Sequence, residues 1–193
     1  MRVTALTGAA LQSALPDVAR LRIEVFRAWP YLYDGDLAYE ERYLTQFAAS
    51  NRAIIVGAYD GDTLIGASTG APLSDHAEDF AAAFQATDFT LSEVFYCAES
   101  VLLPAYRGQG LGHAFFDHRE AHARSHGFAH AVFCGVVRPA DHPARPTGYR
   151  PLDPFWRARG YAPLPGVIAQ FHWKDVGQTA ETAKPLQFWH RAL

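Results

Sequence analysis

The feature that most restricts this 193-residue chain is the run Val101-Leu102-Leu103-Pro104-Ala105-Tyr106-Arg107-Gly108-Gln109-Gly110-Leu111-Gly112. The apolar stretch Ser92 to Leu103 before it reads as a strand that ends at Pro104, and Leu111 to Ser125 after it as a helix stopped by Gly127. Glycines at alternate positions between them take positive φ without cost and let a ligand approach the backbone. The first amides of a helix have no intrahelical partner, and the helix dipole adds about half a positive charge there. A glycine-rich turn so placed is a pyrophosphate site. It is not a Walker loop, because it has no Gly-Lys-Ser/Thr. Nor is it a dinucleotide fingerprint, because His113 stands where Gly-x-Gly-x-x-Gly needs its last glycine.

The flanking segments alternate between strand and helix patterns. Val3 to Leu6 reads as a strand, and the apolar positions from Leu11 to Phe26 as a helix that ends near Pro30. Tyr39 to Phe47 reads as a second helix. Ala53 to Tyr59 and Thr63 to Gly70 form a hairpin about Asp60-Gly61-Asp62. A helix over Asp75 to Phe84, a strand over Ala129 to Val137 and a short helix over Leu152 to Arg159 follow. Residues 138–151 form a long polar loop, and Val167 to Trp173 and Leu186 to Ala192 are the closing strands. This order predicts an α/β (α+β) fold, with a mixed central sheet and helices on both faces. No repeat or composition break appears, so residues 1–193 read as a single domain.

Composition excludes several classes. With 49% apolar and 19% charged residues the chain can build a core, so general disorder is excluded. No apolar run approaches the roughly 20 residues that cross a bilayer. The first residues lack the apolar segment of a signal peptide, and two cysteines, Cys97 and Cys134, fit a reducing compartment; a cytoplasmic protein with no membrane partner is expected. The formal net charge of −3 hides an asymmetry: six Arg/Lys against fourteen Asp/Glu up to Glu99, and eleven against six thereafter. The basic half suits an anionic ligand and the acidic half a cationic one. No basic run or aromatic-basic stripe occurs, so nucleic acid is not an expected partner.

Arg107-x-x-Gly110-x-Gly112 after a strand ending Leu102-Leu103-Pro104 resembles the acyl-CoA signature of the GNAT acetyltransferase superfamily. Downstream, Phe155-Trp156-Arg157-Ala158-Arg159-Gly160-Tyr161 resembles that family's Phe-Tyr-x-x-x-Gly-Phe segment. The element order is similar to the GNAT order along nearly the whole chain, and the motif-level likeness spans about residues 92–161. The resemblance implies a GNAT fold with a V-shaped opening between the fourth and fifth strands. It implies acetyl-CoA as cosubstrate and no metal. The pantetheine arm would bond to backbone groups of Leu102 and Leu103, with the Leu102 N–H polarising the thioester carbonyl. Amides of Arg107, Gly108, Gln109, Gly110, Leu111 and Gly112 would hold the pyrophosphate. The Arg107 and Arg138 side chains would reach the adenosine phosphates.

Acyl transfer to an amine needs a base. The central strand offers Glu93 and Glu99, six residues apart and so expected on one sheet face, among apolar neighbours that would raise a carboxyl pKa. The family's usual general acid is a tyrosine, and that position holds Trp156, whose indole cannot supply a proton; Tyr149, Tyr161, Cys134 or water are the substitutes. A catalytically silent acyl-CoA-binding sensor is therefore the alternative to an enzyme. In the family, the segment between the first two helices roofs the acceptor pocket. Here it carries Trp29, Tyr31, Tyr33 and Asp34, with Asp36, Glu40 and Glu41 following. Aromatic faces and carboxylates suit a cationic amine, small molecule or peptide. His118, His122 and His126 recur every four residues and read as a solvated helix face. The aromatic closing strand around Phe188 and Trp189 is either core or a homodimer contact.

Overall fold

The computed structural model describes all 193 residues. Its sheet holds β1 (Arg2–Leu6), β2 (Ile54–Asp60), β3 (Thr63–Pro72), β4 (Val94–Tyr96), β5 (Ser100–Leu102), β6 (His130–Val136), β7 (Ala162–Lys174) and β8 (Glu181–Ala192). The order across it is β1-β2-β3-β4-β6-β8-β7, with β5 paired to β3. Five helices accompany it: α1 (Gly8–Phe26), α2 (Leu37–Ala48), α3 (Ala77–Phe84), α4 (Leu111–Ser125) and α5 (Asp153–Ala158). The chain is thus mixed α/β, as the element pattern predicts.

Strand alternation sorts β2 between two cores. Ile54, Val56 and Ala58 pack with Phe115 and Phe116 of α4 on one face, and Ile55 packs with Val18 and Leu21 of α1 and Leu44 of α2 on the other. A third cluster joins Phe80 and Phe84 of α3 to Tyr96, Val132 and Phe188. Phe188 and Trp189 are 0% and 4% exposed, so the aromatics of the last strand are core. α1 stops at Phe26, short of Pro30, and β7 begins earlier than its apolar pattern suggests, running through Pro163 on a sheet edge where a missing N–H costs little.

One difference from the sequence expectation shapes the site. Ser92 to Leu103 is not one strand: Leu91–Glu93 is a 3₁₀ turn, β4 ends at Tyr96 and β5 starts at Ser100. Ala71 pairs with Tyr96 but Ser68 pairs with Ser100, a shift of one residue. Ala98 and Glu99 stand together against Thr69: the Ala98 N–H donates to the Thr69 carbonyl (3.0 Å), and the Thr69 N–H to the Glu99 carbonyl (3.0 Å). This is a β-bulge, and it reverses the side-chain alternation. Phe95 and Cys97 face the α4 core, whereas Val101 faces the α1 core. Glu93 and Glu99 therefore do not share a face. Glu93 is exposed in its turn, and Glu99 is 8% exposed on the α1 side.

The bulge also opens the sheet. β4 pairs in parallel with β6 from Val94 to Tyr96, and the last bond is from the Cys97 N–H to the Val132 carbonyl (2.8 Å). Beyond it β5 keeps only β3, while β6 continues with β8. A V is left between β5 and the second half of β6, in the region where the resemblance places it.

Candidate active site

The glycine-rich turn lies at the mouth of the V. Gly108 and Gly110 have φ of +76° and +82°, and a Cβ added at either would meet nothing within 4 Å. The backbone conformation favours glycine there, and the space in front is open. The N–H groups of Gly108 to Gly112 make no backbone hydrogen bond; α4 begins its own bonding with the His113 N–H to the Gly110 carbonyl (3.0 Å). Five free amides leading into a 15-residue helix are an arrangement that can receive an anion. The Arg107 N–H is excluded from it by its bond to the Pro104 carbonyl (3.2 Å), but its side chain is exposed beside it. The Tyr106 hydroxyl donates to Asp60 (3.0 Å) and moors the turn to the β2–β3 hairpin.

The edge of β5 supplies further donors. The Leu103 N–H donates to the Ile65 carbonyl (3.0 Å), and the Leu103 carbonyl accepts from Tyr106 (3.0 Å), so neither Leu103 group is free for a ligand. By alternation, Val101 and Leu103 direct their N–H groups at β3, and Ser100 and Leu102 direct theirs into the V. The Leu102 N–H thus faces the V, and the Ser100 N–H, not that of Leu103, faces it as well.

On the α1 side a cavity of about 550 Å³ reaches the bulge. Tyr31, Tyr33, Tyr43, Phe80, Tyr96 and Trp173 wall it, and Glu99 lies in its lining. Below, Arg22 stands between two carboxylates: its Nε pairs with Glu40 Oε2, and its Nη1 is 2.7 Å from Glu99 Oε1. Glu40 is 0% exposed. The Tyr43 hydroxyl donates to Glu99 Oε2 (3.4 Å). Arg22 also lies over the Tyr43 ring (4.5 Å) and the Phe26 ring (5.3 Å). Burial opposes the Arg22 charge, but Glu99, Tyr43 and Glu40 outweigh it and raise its pKa well above the usual value. Burial, then the Glu99 charge, pushes the Tyr43 phenol up. One cation between two carboxylates leaves a net negative charge, and Oε1 of both Glu40 and Glu99 lacks an aligned hydrogen-bond donor.

The sequence profile of the acetyltransferase (GNAT) family matches residues 18–147. The chain belongs to this family. It is accordingly an acetyl-CoA-dependent acyltransferase. Among solved structures it is similar to a ribosomal-protein-alanine N-acetyltransferase from Brucella melitensis, with 12% identity, 100% of both chains covered and a TM-score of 0.62. A GCN5-related N-acetyltransferase from Kribbella flavida has 16% identity, with 99% of this chain and 98% of that one covered and a TM-score of 0.60. A phosphinothricin acetyltransferase from Sinorhizobium meliloti, solved with acetyl-CoA, has 16% identity, with 100% and 89% covered and a TM-score of 0.61. A search of the curated proteins finds no match.

Several expected site residues of this acetyltransferase lie elsewhere. Arg138 does not face the phosphate cradle. Its Nη1 and Nη2 hold both oxygens of Asp175 (2.8 Å each), and Nε and Nη2 donate to the carbonyls of Pro30 (2.9 Å) and Tyr31 (2.6 Å). It is a clamp between the α1–α2 segment and the β7–β8 turn. Trp29 does not line the cavity but packs on His142 (5.1 Å) and Tyr149 (5.9 Å) of the 138–151 loop. Tyr31, Tyr33 and Asp34 do line it. Asp34 is bonded to Lys174 (2.8 Å) and Arg27 (3.2 Å), and these, Lys174 first, hold its carboxyl below the usual range.

Trp156 packs against Phe133 (4.9 Å) and Trp189 (5.1 Å), and a Cβ on Gly135 would come within 3.0 Å of its ring. Of the substitute acids, the Tyr161 hydroxyl is buried in a bond to Glu120 (3.1 Å) in the α4 core, and Tyr149 sits on the loop. Cys134 does line the cavity, with its sulfur 3.5 Å from the Tyr96 hydroxyl, but burial pushes its thiol up to about 12. The histidine face of α4 is partly engaged: His122 Nε2 meets the Arg52 carbonyl (2.9 Å), and no three His, Cys, Asp or Glu residues converge.

The sequence reading missed Arg22, Tyr43, Tyr96 and Ser100. A signal for Arg22 was present. Val18, Arg22 and Phe26 form an i, i+4 row, so the arginine lies on an apolar stripe where a charge must find a buried partner.

Proposed function

We propose that this acetyltransferase moves the acetyl group to the primary amine of a cationic small molecule or peptide. The observation that carries the reading is a buried carboxylate, Glu99, which lines an aromatic cavity and sits in the bulge that opens the V. Acetyl-CoA supplies an activated carbonyl and a thiolate leaving group. The amides of Gly108 to Gly112 would hold its pyrophosphate, and the Ser100 and Leu102 amides would face the thioester and pantetheine. The cavity aromatics hold the acceptor cation by their faces. Glu99 takes the proton that must leave the ammonium before its nitrogen can attack. Arg22 pairs with both Glu99 and Glu40, so one guanidinium serves two carboxylates. With the tyrosine position filled by Trp156, the thiolate leaves unaided. Glu93 has no part in this scheme.

CoA-thiol release with a panel of acceptors tests it. Diamines, polyamines and lysine-containing peptides are expected to turn over at least about tenfold better in kcat/KM than neutral or acidic amines, a difference of about 1.4 kcal/mol. Equal or reversed preference refutes the cationic acceptor. Binding of acetyl-CoA with no turnover of any amine supports the silent sensor instead.

A further inference from the structure

Leu111, Phe115, Arg119 and Ala123 form an i, i+4 row on α4 whose other members are apolar and buried. Arg119 is 1% exposed. A guanidinium stays charged when buried, and a buried charge without a counter-ion is costly. All of its hydrogen bonds nevertheless go to neutral oxygens. Nε donates to the Phe115 carbonyl (3.3 Å), Nη1 to the carbonyls of Thr69 (3.2 Å) and Glu99 (3.0 Å), and Nη2 to Ser100 Oγ (3.0 Å). Two of these four acceptors, the Thr69 and Glu99 carbonyls, belong to the bulge, and Ser100 follows it directly. The Thr69 and Glu99 carbonyls already accept from Ala98 and Thr69 N–H groups, so Arg119 fills their second lone pairs.

The Glu99 carbonyl and the Ser100 N–H are two ends of one peptide unit. A cation on the oxygen draws electron density along the amide and makes its N–H a stronger donor. That N–H points into the V. We infer that Arg119 is a positioning residue for acyl transfer: it clamps the bulge and, through the Glu99–Ser100 peptide, strengthens the Ser100 N–H as a donor toward a thioester oxygen. The inference rests on the acetyl-transfer reading.

Arg119→Met keeps the volume and removes the charge. Arg119→Lys keeps the charge and loses the fork. Arg159→Met is the control, since Arg159 pairs with Asp117 and Glu120 on the outer side of α4, away from the bulge. The readouts are kcat, the Kd of acetyl-CoA, and the infrared stretch of the ¹³C-labelled thioester carbonyl of bound acetyl-CoA. Removing an oxyanion donor outright costs about 10²–10³ in kcat, so weakening one is expected to cost about ten- to fiftyfold in Arg119→Met. Its acetyl-CoA Kd should stay within about threefold, because the glycine cradle is untouched. Its carbonyl stretch should move toward that of free acetyl-CoA. Arg119→Lys should fall between, and Arg159→Met should keep the wild-type kcat and stretch while melting earlier. A wild-type stretch in Arg119→Met overturns the inference, whether kcat is kept or lost. If that variant does not fold, a wild-type stretch in Arg119→Lys overturns it equally. Failure of the wild type to bind acetyl-CoA sinks the parent reading instead.

Discussion

Glu99→Gln and Arg22→Met should separate catalysis from stability in the same buried cluster. The side chains of Arg22, Glu99 and Glu40 are 11%, 6% and 0% exposed. Removing Arg22 leaves two carboxylates facing each other without a cation, and breaking a buried pair costs about 3–5 kcal/mol. At roughly 2–4 °C per kcal/mol for a chain of this size, Arg22→Met should melt about 6–20 °C lower. Glu99→Gln leaves Arg22 and Glu40 as a neutral pair, and the amide oxygen can still accept from Tyr43. Its cost should stay near 1 kcal/mol, under about 4 °C. Activity should move the other way, because a missing general base costs about 10²–10⁴ in kcat. The assay is CoA-thiol release at saturating acetyl-CoA, with circular dichroism melts on the same preparations. Glu99→Gln with more than about a third of wild-type kcat, or destabilised as much as Arg22→Met, refutes the reasoning.

Arg138→Ala should melt lower by the cost of a broken buried ion pair, about 3–5 kcal/mol, yet keep wild-type acetyl-CoA affinity by calorimetry; weakened binding would return Arg138 to the phosphate site. Burial pushes the Cys134 thiol up to about 12, so it carries on the order of a thousandfold less thiolate than an ordinary cysteine. A thiol reagent at neutral pH should thus find almost none of it in the native protein and both cysteines after unfolding; rapid native labelling contradicts this. Burial lowers the pKa of His76, His122 and His190, so the fold favours their neutral forms while the unfolded chain takes up protons below about pH 6.5. Stability should then fall as pH drops from about 7.5 to 5.5, and a constant urea midpoint over that window refutes it. Trp156→Tyr should leave kcat unchanged or raise it while costing about 1–3 kcal/mol in lost packing on Phe133 and Trp189; a tenfold loss of kcat without unfolding means the indole shapes the site.

Local pattern carried the fold a long way. The helix that starts at Leu111 and the hairpin about Gly61 follow from residues within a few positions of each other, and the structure has both. The V and its glycine cradle follow from a motif of the same kind. The bulge at Ala98–Glu99 does not, because it depends on Thr69 and Arg119, 30 and 20 residues from Glu99. Missing it put Glu93 and Glu99 on one face. Arg138 and Trp29 were misplaced for a related reason: their partners, Asp175 and Tyr149, lie far along the chain. Glu40 looked like one more acid after an exposed loop, yet its helix row with Leu44 and Phe47 buries it. Charged residues inside apolar i, i+4 rows, as at Arg22, Glu40 and Arg119, were the readable sign of the buried polar centre.

The most direct test of the account is calorimetric titration of acetyl-CoA into the wild type and Gly110→Asp. Nothing lies within 4 Å of a Cβ at Gly110, so the aspartate meets no steric obstacle and places a negative charge in the cradle, although its φ of +82° carries some strain. Aspartate is among the residues that tolerate that region best. The account predicts micromolar binding by the wild type and loss of at least about a hundredfold in the variant, with both proteins folded by circular dichroism. Equal binding by the two, or none by the wild type, contradicts it.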